Sequence, residues 1–404
     1  MKKIILVLCF FISIVKINAQ QISISDSAVI SLITCSPGPE TYAKFGHTAI
    51  RINDSSNGLD LVFNYGIFSF ETANFYWKFI KGETDYQLGV YETGYFLPEY
   101  KQRNSAVWEQ VLNLTTAEKQ NLINLLITNY QPENRVYRYN FIFDNCATRP
   151  RDKILAALQG YVQFQPNNES KTFRQWVGVY VGTDTWLKFG IDVIFGLDAD
   201  KIASQNATMF LPEVLMSEFQ NAQIKNFNGQ NRKLVSEKKT LVDKNESNEK
   251  NATANWLFKP LTISLLLLII GIIITIWDTK RRRHFKLFDS ALLILTGLGG
   301  IVIFFLMSFS THPLVKQNLN ILWLNPLNIA LGILIWIKSS ELRRILFFYQ
   351  IFNIVLLIGA LFAFALSIQL FNVAAFPIIV LMMMRSTRWF AYTKHKLYKR
   401  RDLK

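Results

Sequence analysis

Residues 257–384 alternate long apolar runs with short basic clusters, and no other feature restricts the architecture as much. A chain inside hydrocarbon has no water to bond to, so each run must satisfy its own backbone groups, as a helix does. The runs are Leu257–Trp277, Leu287–Phe309, Leu319–Ile337, Ile345–Ile368 and a shorter one over Leu370–Met384. At about 1.5 Å per residue, each of the first four spans a hydrocarbon core about 30 Å thick. The fifth does so only with Gln369 and Asn372 in the interface. The expectation is an all-α five-helix transmembrane bundle over residues 256–384, followed by a basic tail over 385–404.

Charge orients that bundle. The chain carries a net charge of +15, but residues 256–404 hold 18 of the 44 Lys and Arg and only 4 of the 29 Asp and Glu. The first half is therefore nearly neutral, which argues against a basic nucleic-acid-binding face. Lys280, Arg281, Arg282, Arg283 and Lys286 fall in one loop, Lys338, Arg343 and Arg344 in another, and further basic residues follow Met384. Basic loops face the cytoplasm, which puts residues 20–255 on the far side of the membrane. Met1–Ala19 points the same way: two lysines, a short apolar core and a small terminal residue read as a signal peptide cleaved after Ala19.

Residues 20–223 read as an exported domain, and the polar stretch 224–255 as a linker with room for one helical turn. With 50% hydrophobic residues the chain is not mainly disordered. Its 3 cysteines and 4 histidines exclude a disulfide scaffold and show no metal-ligand spacing. Strand patterns fall at Ala28–Thr34, Thr48–Asn53, Asp60–Tyr65 and Asp85–Thr93, and helical patterns at Ala73–Ile80, Thr116–Tyr130 and Cys146–Leu158. Thr115 is the expected N-cap of the second helix, with Glu118 closing a capping box. The mixture is α+β.

Within this domain one histidine, His47, opens a strand, and two cysteines remain, Cys35 and Cys146. Cys146 follows Asp144-Asn145, good capping residues, and precedes Pro150, which suits a first helical turn. The unpaired N–H groups and the dipole there favour a thiolate, and a nearby imidazole favours it further. Against this stand a buried structural cysteine, a Cys35–Cys146 disulfide and a purely structural histidine. Cys35 itself reads as structural.

A Gly-His on a strand, followed about a hundred residues on by Asn-Cys at a helix start, resembles the circularly permuted papain-like hydrolases and acyltransferases. More closely, Leu32–Gly38, Phe45–Arg51, Phe63–Gly66 and Phe143–Arg149 resemble the exported domain of the Bacteroides-type lipoprotein N-acyltransferase (Lnb) family. Ser310–Pro313, Asn318, Asn320 and Asn325-Pro326 are similar to that family's membrane half.

The resemblance implies a permuted papain-like exported domain on the five-helix bundle, placed in the inner membrane with a cytoplasmic C-terminus. It also implies acyl transfer from a membrane phospholipid, through a Cys146 thioester, to the N-terminal amine of a diacylglyceryl-cysteine lipoprotein. No cofactor, metal or nucleic acid enters. His47 would act as acid and base, and Asn64 would hold the imidazole or else make a turn-edge bond. Tyr139 or Asn140 would add to the oxyanion contact of the Cys146 N–H. His312, Asn318 and Asn320 either hold a lipid or peptide head group or form a capped loop. Asp289 reads as interfacial, and the tail from Arg385 as an anchor on anionic lipid. The aromatics around Phe68–Phe79 are core, acyl groove or bilayer contact. Competing functions are an exported cell-wall amidase or endopeptidase, for which one anchor would suffice, and a non-enzymatic assembly factor.

Overall fold

The structure, a computed structural model, describes residues 24–167, 169–226, 231–245 and 256–401; the signal peptide expected at 1–19 lies outside them. The first half is built on a seven-stranded antiparallel sheet. Its strands are β1 (Val29–Cys35), β2 (His47–Asp54), β3 (Leu59–Ile67), β4 (Asp85–Glu92), β5 (Val107–Leu112), β6 (Val136–Arg138) and β10 (Val235–Val242). They lie in the order β10-β5-β1-β2-β3-β4-β6. A small sheet pairs β7 (Tyr161–Gln163), β8 (Gln223–Lys225) and β9 (Asn231–Lys233). The helices of this half are α1 (Phe75–Lys81), α2 (Thr93–Gln102), α3 (Thr116–Tyr130), α4 (Thr148–Ala157), α5 (Phe173–Val181), α6 (Trp186–Ile194), α7 (Gln205–Thr208) and α8 (Pro212–Asn221).

The continuous apolar run of β1 reflects cover on both faces. Ile30 and Leu32 pack with Leu122 and Leu126 of α3, Ile154 of α4 and Phe219 of α8. Ile33 and Cys35 turn the other way, onto Phe96 and Tyr100 of α2. The capping box of α3 forms as expected: Thr115 Oγ1 accepts from the Glu118 N–H at 3.3 Å, and Glu118 accepts from the Thr115 N–H at 2.9 Å. Such a cap is worth about 1 kcal/mol.

The polar stretch 224–255 corrects the linker expectation, because it supplies most of β8 and all of β9 and β10. Strand β10 is an edge strand whose middle is exposed and charged. Charge suits an edge, since it discourages pairing with other chains.

Of the membrane half, α9 (Pro260–Lys280), α10 (Lys286–Phe309) and α12 (Ser340–Ala365) are the three helices among the described residues that are long and apolar enough to cross a membrane. The segment expected as a third continuous span, Leu319–Ile337, is broken. It has a 3₁₀ turn at Leu319–Leu322, a bend through Asn325-Pro326 and only a short α11 (Asn328–Leu334). Pro326 has no N–H to give a helix. Neighbouring α10 admits the irregular backbone through Gly300, where an added Cβ would fall 2.3 Å from Leu324 O.

The tail also differs from expectation. Helix α13 (Ala375–Arg401) runs unbroken through Arg385, whose guanidinium is buried at 2.6 Å from Asp289 and 2.8 Å from Asp278. Asp289 is likewise buried rather than interfacial. At the opposite end of the bundle, the chain meets the first half. Trp186 Nε1 donates to Phe258 O at 2.7 Å, the Gly196 N–H to Leu314 O at 2.8 Å, and the Thr311 N–H to Lys81 O at 2.8 Å. Gln369, once expected in the lipid interface, is buried and donates to Phe195 O at 3.3 Å, while Asn372 donates to Asp192 at 2.9 Å. These bonds hold the sheet domain against one end of the bundle.

Candidate active site

The functional side chains converge where β2 begins, where β3 bulges, and where the loop before α4 turns. Asn145 shapes that loop. Its Oδ1 accepts from the N–H groups of Ala147 and Thr148 at 2.8 and 2.9 Å, and its backbone O accepts from the Arg149 N–H at 3.2 Å. Helical bonding thus starts at Asn145, and Cys146 occupies the opening turn although regular helix begins at Thr148. Asp144, the other residue expected to cap, instead grips Arg149 by two bonds of 2.5 and 2.8 Å.

His47 reaches Cys146 from the first residue of β2. Its Nε2 bonds Asn64 Oδ1 at 2.5 Å, which leaves Nδ1 for the sulfur, and the ring and thiol are hydrogen-bonded. The backbone N–H groups of Thr48 and Cys146 lie close enough to favour the anionic sulfur. Burial disfavours charge on both partners, but each is favoured by the other's opposite charge and by these bonds. The net result holds the Cys146 thiol below its ordinary pKa and the His47 imidazole above its own. Both shifts run in the direction that favours transfer of the thiol proton to the imidazole. Cys146 is half-buried.

The rival readings of the cysteines separate on position. Both are free thiols, so there is no Cys35–Cys146 disulfide. Cys35 is buried opposite His47 in the β1–β2 register. Burial pushes its thiol well up, only partly offset by a bond to Tyr100. The two thiols are thus shifted in opposite directions, Cys146 down and Cys35 up.

Two further residues reach the site without having been singled out from the sequence. The Tyr137 hydroxyl is buried and has no hydrogen-bond partner among the described residues. Burial, then the Cys146 charge, drives its pKa upward, so it is a proton donor that lacks an acceptor. Arg149 sits 3.6 Å over its ring. Gly66, at φ +92°, marks the bulge of β3. A Cβ there would lie 3.4 Å from Cys146 Cβ, 3.9 Å from His47 Cε1 and 4.0 Å from the Tyr137 hydroxyl. The missing side chain leaves a small space between Cys146, His47 and the Tyr137 hydroxyl. The lone glycine in an alternating strand was the legible signal for this; Tyr137 carried none.

The remaining expected site residues take other positions. Tyr139 stacks on Tyr86 with centroids 4.1 Å apart and is close enough to feel the Cys146 charge. The Asn140 side chain accepts from the N–H groups of Ile142 and Phe143 at 3.1 and 3.0 Å, so it shapes the loop instead of facing the sulfur. Tyr65 points to the opposite face of β3 from Asn64 and donates to Asn129 at 2.8 Å.

His312 bonds Phe79 O at 3.0 Å, fastening the end of α1. Asn318 and Asn320 are buried. Both donate to Val193 O, at 2.7 and 3.1 Å, and Asn320 Oδ1 accepts from Trp323 at 2.8 Å. They join the two halves of the chain and are not available to a head group.

Cys146 at the opening of a helix, His47 on a strand and Asn64 beside it are brought together on a mixed α/β domain that is joined to a helical transmembrane region. The family model of the Lnb N-terminal periplasmic domain matches residues 17–177, and that of the Lnb transmembrane domain matches residues 252–397. The chain belongs to the Lnb family, and its N-terminal part is periplasmic. No curated relative and no solved structure matches it.

Proposed function

We propose that the protein is a thiol acyltransferase that N-acylates lipoproteins at the outer face of the inner membrane. The observation that carries this reading is the line Asn64–His47–Cys146. The Cys146 sulfur attacks the carbonyl carbon of a phospholipid ester. The tetrahedral oxyanion is met by the Cys146 N–H and the Tyr137 hydroxyl, within the space that Gly66 leaves open. The carbon–oxygen bond then breaks, the lysolipid alcohol departs with the His47 proton, and a thioester remains on Cys146. Next, the N-terminal amine of a diacylglyceryl-cysteine attacks the thioester while His47 takes its proton. An amide forms and the sulfur leaves as thiolate.

Donor and acceptor are both lipids, so a thiol held at the membrane surface searches two dimensions instead of three. Five passes, with the C-terminus in the cytoplasm, are supported by the broken 313–337 segment. Its outer end meets the periplasmic half, while Ile335 O accepts from Lys286 near the basic loops. In cells, Cys146→Ala should leave lipoproteins with a free N-terminal amine by lipopeptide mass spectrometry. Unchanged N-acylation with the variant normally expressed would overturn the proposal.

A further inference from the structure

We infer that a continuous row of aromatic rings leads from the membrane surface to Cys146 and carries the fatty acyl chain of the donor lipid; this rests on the acyltransfer reading. The row starts beside the thiol at Tyr139, stacked on Tyr86 at 4.1 Å. Tyr86 stacks on Phe68 at 4.9 Å, and Phe68 touches Phe70 at 5.0 Å and Phe75 at 5.7 Å. Phe75 continues to Phe79 at 6.1 Å. Tyr86 and Phe75 within the row are buried, at 8% and 7% exposure, whereas Phe70 and Phe79 at its far end are 54% and 50% exposed.

The far end is fixed at the lipid boundary. Trp77 of α1 packs on Phe305 of the spanning helix α10 with centroids 5.0 Å apart. Beyond the end of that helix, Ser310 and Thr311 bond the carbonyls of Ile80, Lys81 and Gly82. The exposed rings of α1 therefore continue the apolar surface of a span. A soluble domain gains nothing from exposing several large rings together, and the surface they adjoin is hydrocarbon. An acyl chain leaving the outer leaflet along this face stays against apolar surface until its carbonyl reaches the space at Gly66.

The test uses the full-length protein in detergent and follows the p-nitrophenol burst from two activated esters, p-nitrophenyl acetate and p-nitrophenyl decanoate. Wild type should be acylated faster by the decanoate. In the double variant Phe70→Ser/Phe79→Ser, which alters exposed side chains, the decanoate-to-acetate rate ratio should fall about tenfold, the order expected when roughly two methylenes lose apolar contact. A wild type indifferent to chain length, or a variant that keeps the wild-type ratio, overturns the acyl track while leaving the thiol chemistry intact. Absence of any Cys146-dependent burst with either ester would instead overturn the acyltransfer reading itself.

Discussion

Replacing Tyr137 by Phe removes one oxygen and nothing else that the fold uses. The Arg149 guanidinium over the ring at 3.6 Å has an equally good partner in Phe, and the ring contacts to Tyr65 and Tyr139, at 6.3 and 6.5 Å, are apolar. The hydroxyl is buried and accepts or donates no bond in the resting fold. Burying such a group unpaired costs about 1–3 kcal/mol, so its loss should leave stability unchanged or raise it by up to about 1 kcal/mol. Catalysis should move the opposite way. A donor that pairs only with the developing oxyanion contributes about 2.7–4 kcal/mol, a factor of about 10²–10³ in rate. Thermal unfolding and the single-turnover rate of Cys146 acylation, measured on the same Tyr137→Phe preparation, separate these effects. A variant with a lowered melting temperature, or one acylated within about twofold of wild type, would refute the donor role.

A reactive form with Cys146 as thiolate and His47 protonated, the form both shifts favour, predicts a bell-shaped pH profile. Its acid limb, where Cys146 loses its proton, falls below the ordinary thiol value of about 8.5, and its alkaline limb, where His47 loses its proton, falls above the ordinary imidazole value of about 6.5. Iodoacetamide at neutral pH should accordingly label Cys146 and spare Cys35, as read by peptide mass mapping. Gly66→Ala should fill the space beside the sulfur and strain a backbone at φ +92°, lowering acylation at least tenfold. Arg385→Ala removes the guanidinium shared by buried Asp278 and Asp289, leaving Asp289 only His284 at 2.9 Å among the described residues, at a cost of about 3–5 kcal/mol. The melting temperature should drop sharply while Cys146 alkylation in the folded fraction is unaffected.

How far the fold was legible depended on whether its signals were local. Strands β1 to β4 follow alternation or a short apolar run, and the cap at Thr115 with Glu118 needs only four residues to recognise. The positions of Cys146 and His47 were legible because a helix start is written in Asn145 and a strand start in Gly46-His47. What failed was long-range. Strand β10 is polar because it is an edge, so Glu237, Lys238 and Lys239 read as linker until β5 is beside them. Arg385 looks like a membrane-facing charge, but its partner Asp289 lies 96 residues away. Asn318 and Asn320 resembled ligand groups because polar residues near a membrane are costly. Their partner proved to be the protein's own Val193 carbonyl.

The central claim is that Cys146 holds the acyl group in transit. Full-length protein reconstituted in phospholipid vesicles without acceptor should accumulate one fatty acyl mass on the peptide containing Cys146. Neutral hydroxylamine should release it, and Cys146→Ala should lack it. An acyl group found on Cys35, or N-acylation of an added lipopeptide that persists in the Cys146→Ala protein, would contradict the account.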